Sequence, residues 1–385
     1  MASMLIPLSK PFFGKEEEDA IKRVLRSGWL VHGPYVKKFE EDFARYIGVK
    51  HAVAANSCTS VLQLSLQGNL YNNKRKFSST PEIILPSFTF VASANAVVNA
   101  GFKPVFVDID SNTFNISPQQ ILQRINKNTF GLMVVHFAGQ SSRMDEICKI
   151  TRKYKLVLIE DSAEAIGAEF KGKKTGSFGI GCFSFFPTKN LTTGEGGMLT
   201  TNDSKFAEII RTLIAHGISK KKKKKYSWNR NATYAGFNLR MTDLQASMGV
   251  VQLKKIDYMN ERRREIVETF NEKISFIEEI EPPIEDIDCK HVYQMYTPRT
   301  KGNKISRDKL VTLLNEKGIG ASVHFDPPVH KQSAYKTASR NIKLPVTELV
   351  YRRIFSLPIY PSLKDKDVKR IINVLKDCIY ELKVC

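Results

Sequence analysis

The sequence predicts an α/β protein built on a largely parallel sheet with helices on both faces. Two observations carry this. Short apolar segments alternate with helical patterns from Ala52 to Ile159. The repeat is strand–helix–strand, which buries a parallel sheet between helical layers. A third observation adds a second unit: near residue 255 the alternation gives way to a long charged helical stretch. We expect a large domain over 1–255 and a smaller α+β domain over 256–385. A chain of 385 residues, 42% hydrophobic and 25% charged, has material for both cores.

The elements follow in order. Glu16, Glu17, Glu18 and Asp19 open a first helix, where the dipole favours acids, and Gly28 closes it. A second helix spans about Tyr35 to Tyr46. Ala52–Ala55 reads as a strand, followed by a helix carrying Val61, Leu62, Leu64 and Leu66. Ile83–Leu85 is a strand, Val91–Asn99 a helix and Val105–Val107 a strand. The polar residues Asn95, Asn99 and Lys103 speak against one membrane span across this stretch. Ser117-Pro118-Gln119-Gln120 has the form of a capping box with proline at the first helical position. Leu132–His136 is a strand, Asp145–Tyr154 a helix and Leu156–Ile159 a strand. Beyond the charged stretch at Glu261–Arg264, strands are expected at Val292–Thr297 and Ile319–Phe325. Between them lies a helix from Arg307 to Glu316 capped by Ser306. A final helix places Val368, Ile371, Ile372, Leu375, Ile379 and Leu382 on one face.

Composition narrows function. The 59 Lys and Arg outnumber the 39 Asp and Glu, a formal charge of +20. Nucleic acid, an acidic membrane or a polyanionic small substrate would each suit it, as would a lysine-rich surface with no single partner. No finger, RNA-recognition signature or basic zipper is present, so neither nucleic acid nor membrane is expected as a partner. The six cysteines contain no CxxC pair, and the histidines show no ligand spacing. No zinc site, metal or disulfide scaffold is expected, and a reduced cytoplasmic setting fits. The first thirteen residues lack the form of a secretory signal.

In an open α/β sheet, ligands bind at the carboxyl ends of the strands. Three such ends carry chemistry. Asn56-Ser57-Cys58-Thr59-Ser60 lies between a strand and a helix, a pattern for a phosphate site or for a plain N-cap. Glu160-Asp161 ends an apolar strand. An acid buried there needs a cation or hydrogen bonds; one left in water needs neither. Lys189 lies between an aromatic strand and the glycine-rich turn Gly194-Glu195-Gly196-Gly197, as a nucleophile or as a surface residue. A phosphate cradle, a strand-end carboxylate and a lysine are together the parts that hold pyridoxal 5′-phosphate.

Several further stretches match one family in order. They are Ser27-Gly28-Trp29, Leu85-Pro86-Ser87-Phe88-Thr89-Phe90-Val91-Ala92, Val105 to Asp110, Glu160 to Ala165, Ser184 to Gly197, Gly236 to Met241, and Val329-His330. Over nearly its whole length the chain resembles the DegT/DnrJ/EryC1/StrS family, sugar aminotransferases of fold type I, the aspartate-aminotransferase-like fold. The resemblance implies that Lys189 binds the cofactor's aldehyde and moves the proton, and that Asp161 partners the ring nitrogen. It implies phosphate contacts from Cys58, Thr59 and Ser184, and stacking by Phe90. Asn238 would reach the phosphate of the neighbouring subunit of a homodimer. Glu164 stands where the family usually has Gln or His near the cofactor's phenolic oxygen. Trp29 and His330 are candidate substrate contacts. The implied activity moves an amino group from L-glutamate to a 4-keto-6-deoxy nucleotide sugar. A 3-keto acceptor, a dehydratase or deaminase of the same fold, and a non-enzymatic basic binding protein are the alternatives. The run Lys220–Lys225 lies in a loop where the family varies; it is either a solvated loop or an attractor for the nucleotide diphosphate.

Overall fold

Seven strands form the central sheet: β1 (His51–Ala55), β2 (Glu82–Pro86), β3 (Lys103–Val107), β4 (Thr129–Val135), β5 (Val157–Asp161), β6 (Ile180–Ser184) and β7 (Gly197–Thr201). Their order in space is β1-β7-β6-β5-β4-β2-β3. Only β7 runs antiparallel to its neighbours; the other pairings are parallel. The computed structural model describes residues 5–73, 75, 77–219, 228, 230–302, 304–336 and 339–384. The run Lys220–Lys225 lies outside the described residues.

Helices α1 (Lys15–Ser27) and α2 (Pro34–Ile47) precede the sheet. Within it come α3 (Cys58–Asn72), α4 (Val91–Asn99), α5 (Pro118–Arg124), α6 (Met144–Tyr154) and α7 (Ser204–Leu213). After it come α8 (Asp243–Ile274), α9 (Arg307–Glu316), α10 (Pro345–Val350) and α11 (Asp365–Val384). Gly28 ends α1 at φ +68°, a left-handed position that costs glycine little. Ser117 caps α5 through the N–H of Gln120, but its hydroxyl donates to Gln119, so only half of the expected box forms.

The two-residue period of a strand sends alternate side chains to opposite faces. Ile83 and Leu85 join Val61, Leu64 and Leu199 in a core with α3, α4 and α7. Ile84 points the other way, toward Ile121 of α5 and Ile147 of α6. Ala52 and Ala54 face a third core, where Phe39 and Phe43 of α2 pack on Phe183 and Phe185. A separate core joins Ile266, Phe270 and Ile274 of α8 to Leu310 and Leu314 of α9 and to Ile371 and Leu375 of α11. Helix α8 runs unbroken through residue 255, with Val250 and Ile256 in the sheet-side core and Ile266 to Ile274 in the C-terminal one.

Two expected strands are corrected. At Val292–Thr297 the chain is irregular, because Tyr293 takes φ +42° and the backbone bonds elsewhere. Val292 N–H donates to Gly139 and Met295 N–H to Ala138. The regular strands that flank this segment are Cys289–Lys290, paired with Glu169–Phe170, and Arg299–Thr300, paired with Ile280–Glu281. Ile319–Phe325 makes only isolated bridges, Ile319 to Ile6 and Ser322 to Ser356, before Phe325 turns at φ +60°.

Candidate active site

The carboxyl ends of β1, β5 and β6 open on one cavity of about 490 Å³. Cys58, Thr59, Phe90, Asp161, Glu164, Ser184 and Lys189 all line it. The sheet explains the convergence. β1 delivers the start of α3, β5 ends on Asp161, and the turn after β6 presents Lys189.

Asp161 is buried, 5% exposed. Its Oδ2 accepts from Ser93 Oγ at 2.7 Å and its Oδ1 from Ala163 N–H at 3.2 Å. Burial pushes its carboxyl above the ordinary range, although these two bonds and Lys189 pull it down. Among the described residues no side-chain cation is paired with it. Asp161 is therefore a buried acid suited to a cation arriving from the cavity.

Glu160 points away from the site. It is fully buried and accepts from Gly176, Phe178 and Gly179 N–H at 2.7–2.8 Å, while His136 Nε2 lies at 3.2 Å. This pins the loop between β5 and β6, and with it the register that aims Asp161.

Lys189 Nζ donates to Glu164 Oε1 at 3.3 Å. The other oxygen of Glu164 accepts from Ala138 N–H at 2.9 Å. Ala138 sits at φ +54°, a left-handed turn that alanine rarely adopts and that this bond helps to hold.

At the start of α3, Ser57 accepts from Ser60 N–H at 3.2 Å. The N–H groups of Cys58 and Thr59 find no acceptor among the described residues. With the helix dipole they make a seat for an anion at the cavity wall. Gly197 of β7 makes this possible, since a Cβ there would lie 2.4 Å from the carbonyl of Ser57. Phe90 lines the cavity and is 63% exposed.

Three expected site residues lie elsewhere. Asn238 is exposed, with its carbonyl oxygen bound to Arg240 at 2.9 and 3.1 Å. Trp29 is 61% exposed beside Gly33. His330 is buried, its Nδ1 2.6 Å from Ser87 Oγ and its Nε2 3.7 Å from Glu348. The structure also brings in residues that sequence reasoning missed: Ser93, Gln294, His324 and Ser356 line the same cavity. Ser93 stands one helical turn after Thr89, to which it is bonded at 2.8 Å, and that spacing was readable. The others come from segments without regular structure.

A buried acid lacking a cation, a reachable lysine and an open helix start fit pyridoxal 5′-phosphate. Among the described residues no group of three or more His, Cys, Asp or Glu could hold a metal. Nor is any described helix long and apolar enough to cross a membrane.

Comparison with known proteins places this geometry. Residues 11–376 match the DegT/DnrJ/EryC1/StrS aminotransferase family. The uncharacterized protein MJ1066 of Methanocaldococcus jannaschii is 42% identical, over 98% of each chain. The spore coat polysaccharide biosynthesis protein SpsC of Bacillus subtilis is 39% identical, over 97% of each. Among solved structures, PseC of Helicobacter pylori, an aminotransferase involved in the biosynthesis of pseudoaminic acid, superimposes with a TM-score of 0.91. It is 29% identical, with 98% of this chain and 100% of that one covered.

Proposed function

The chain belongs to the DegT/DnrJ/EryC1/StrS aminotransferase family, and from that premise we propose that it transfers the amino group of L-glutamate to a 4-keto-6-deoxy nucleotide sugar. It is a sugar aminotransferase that uses pyridoxal 5′-phosphate, with an amino donor and a sugar acceptor as its substrates. When bound, the cofactor would supply an electron sink and an aldehyde carbon that takes the amino group from the donor and gives it to the acceptor.

The observation behind the residue roles is that Lys189, Asp161 and the α3 start share one cavity. In this reading Lys189 Nζ would hold the cofactor through its aldehyde until the donor amine displaces it, and the freed amine would take and return the substrate's carbon-bound proton. Asp161, as a carboxylate, holds the proton on the ring nitrogen and so keeps the sink effective. Cys58, Thr59 and Ser184 seat the phosphate, Phe90 covers the ring, and Glu164 orients Lys189. Two chains form a homodimer with sites at their interface. The exposed Asn238 then reaches the partner's phosphate, and the exposed Trp29-Leu30-Val31 stretch lies near the substrate entrance. His330 supports the wall through Ser87. The enzyme works in the cytoplasm, where sugar nucleotides are made.

The test is transfer of label from ¹⁵N-glutamate to UDP- and dTDP-linked 4-keto-6-deoxy sugars and their 3-keto isomers, with the product read by NMR. Nitrogen at C4 supports the reading. Nitrogen only at C3, or loss of a hydroxyl without nitrogen transfer, replaces it with one of the alternatives.

A further inference from the structure

We propose that His324 reads a ring hydroxyl of the sugar substrate. This rests on the sugar-aminotransferase reading and deepens it. His324 lines the same cavity as Lys189 and Glu164 and comes from the C-terminal part of the chain, beyond the central sheet in sequence. Its ring is oriented from behind. Nδ1 lies 2.8 Å from Ser356 Oγ, and Ser356 lines the cavity too. Ser356 is itself fixed: its N–H donates to Ser322 at 2.8 Å and its carbonyl accepts from Ser322 at 3.2 Å. Phe325 packs edge-on against the imidazole, with centroids 6.1 Å apart.

One ring nitrogen is therefore committed. Nε2 makes no hydrogen bond among the described residues, and it is the one polar atom the ring still offers. Burial pushes the imidazole below its usual range; Lys189 adds to this, and the nearby Glu164 opposes it. This biases the ring toward its uncharged form. A neutral imidazole with one free nitrogen is a poor match for a diphosphate, which calls for cations or N–H clusters. It matches a hydroxyl, which donates or accepts to suit whichever tautomer Ser356 leaves. Such a contact also discriminates, because a substrate lacking the hydroxyl leaves Nε2 desolvated and unpaired.

The test pairs enzyme variants with substrate analogues. UDP- or dTDP-4-keto-6-deoxyglucose, whichever the wild type aminates, is compared with its 2-deoxy and 3-deoxy analogues. The wild type should disfavour one analogue by roughly 10–100-fold in kcat/KM, the scale of one lost hydrogen bond to a buried partner. In His324→Ala that preference should collapse to within about threefold, with the loss carried mainly by KM. His324→Gln should restore part of it, and Ser356→Ala should weaken it without abolishing it. The donor half-reaction, in which no sugar takes part, should keep its rate within about twofold. An unchanged preference in His324→Ala, or an equal fall in both half-reactions, would overturn the proposal. Should His324→Ala fail to fold, the same comparison in His324→Gln and Ser356→Ala decides it. Failure of the wild type to aminate any sugar nucleotide overturns the substrate reading as well, and is seen before any variant is made.

Discussion

Lys189 Nζ lies 3.3 Å from Glu164 Oε1, and the second oxygen of Glu164 accepts the N–H of Ala138 at 2.9 Å. One carboxylate thus joins the cavity lysine to a left-handed turn. The two functions separate by substitution. Glu164→Gln keeps a carbonyl oxygen for Ala138, whereas Glu164→Ala leaves that buried N–H unpaired. In urea unfolding of the cofactor-free protein, the Gln variant should stay within about 1 kcal/mol of wild type. The Ala variant should lose about 1–3 kcal/mol. Equal losses would mean that the Ala138 bond does not hold the turn.

Lys189→Ala should abolish turnover, with kcat falling by about 10⁴-fold or more, because proton transfer and the covalent link to the cofactor fail together. Circular dichroism and the melting profile should remain those of the wild type, since Lys189 lines a cavity and fills no core. Normal transamination by this variant would remove Lys189 from the mechanism.

Asp161 predicts a dependence on pH. Its folded carboxyl is raised by burial above the unfolded value. A group raised in this way contributes stability below its unfolded pKa of about 3.9, and that contribution is lost as pH rises through the folded value. In the cofactor-free protein, wild type should therefore lose stability relative to Asp161→Asn as pH climbs from about 4, levelling off once Asp161 is fully ionised. Added pyridoxal 5′-phosphate should reverse the order at pH 7 by supplying a cation to the carboxylate. Parallel pH profiles for the two proteins would refute this.

Gly197→Ala tests the cradle. A Cβ at 2.4 Å from the Ser57 carbonyl and 2.6 Å from Cys58 N must push the start of α3 off β7. We expect a loss of about 1–3 kcal/mol in unfolding free energy. Affinity for pyridoxal 5′-phosphate should also weaken by at least about tenfold, measured by absorbance titration. Unchanged cofactor affinity would separate the α3 start from the phosphate.

These predictions fall on residues that differ in how readable they were. The parallel sheet could be read because Ile83, Ile84 and Leu85 sit in an apolar segment bounded by turns, and Val91–Asn99 had helical spacing with the same ends as α4. Asp161 could be read because it ends an apolar strand, and Lys189 because it lies shortly after one. Ser57 was readable as a cap, but its closeness to Gly197 is a contact across 140 positions that no local pattern encodes. His324 and Ser356 escaped notice for a related reason. Both lie in segments held by single bridges, where neither a period of 2 nor of 3.6 marks which side chain turns inward. The expected strand at Val292–Thr297 failed because its apolar residues fill three separate clusters from an irregular path that bonds to Ala138 and Gly139.

The most direct test of the account is the visible spectrum of the protein loaded with pyridoxal 5′-phosphate, followed through one cycle. Glutamate should bleach the band of the loaded wild type, and a 4-keto-6-deoxy sugar nucleotide should restore it, while Lys189→Ala does neither. A band that ignores glutamate, or a Lys189→Ala protein that completes the cycle at the wild-type rate, would contradict it.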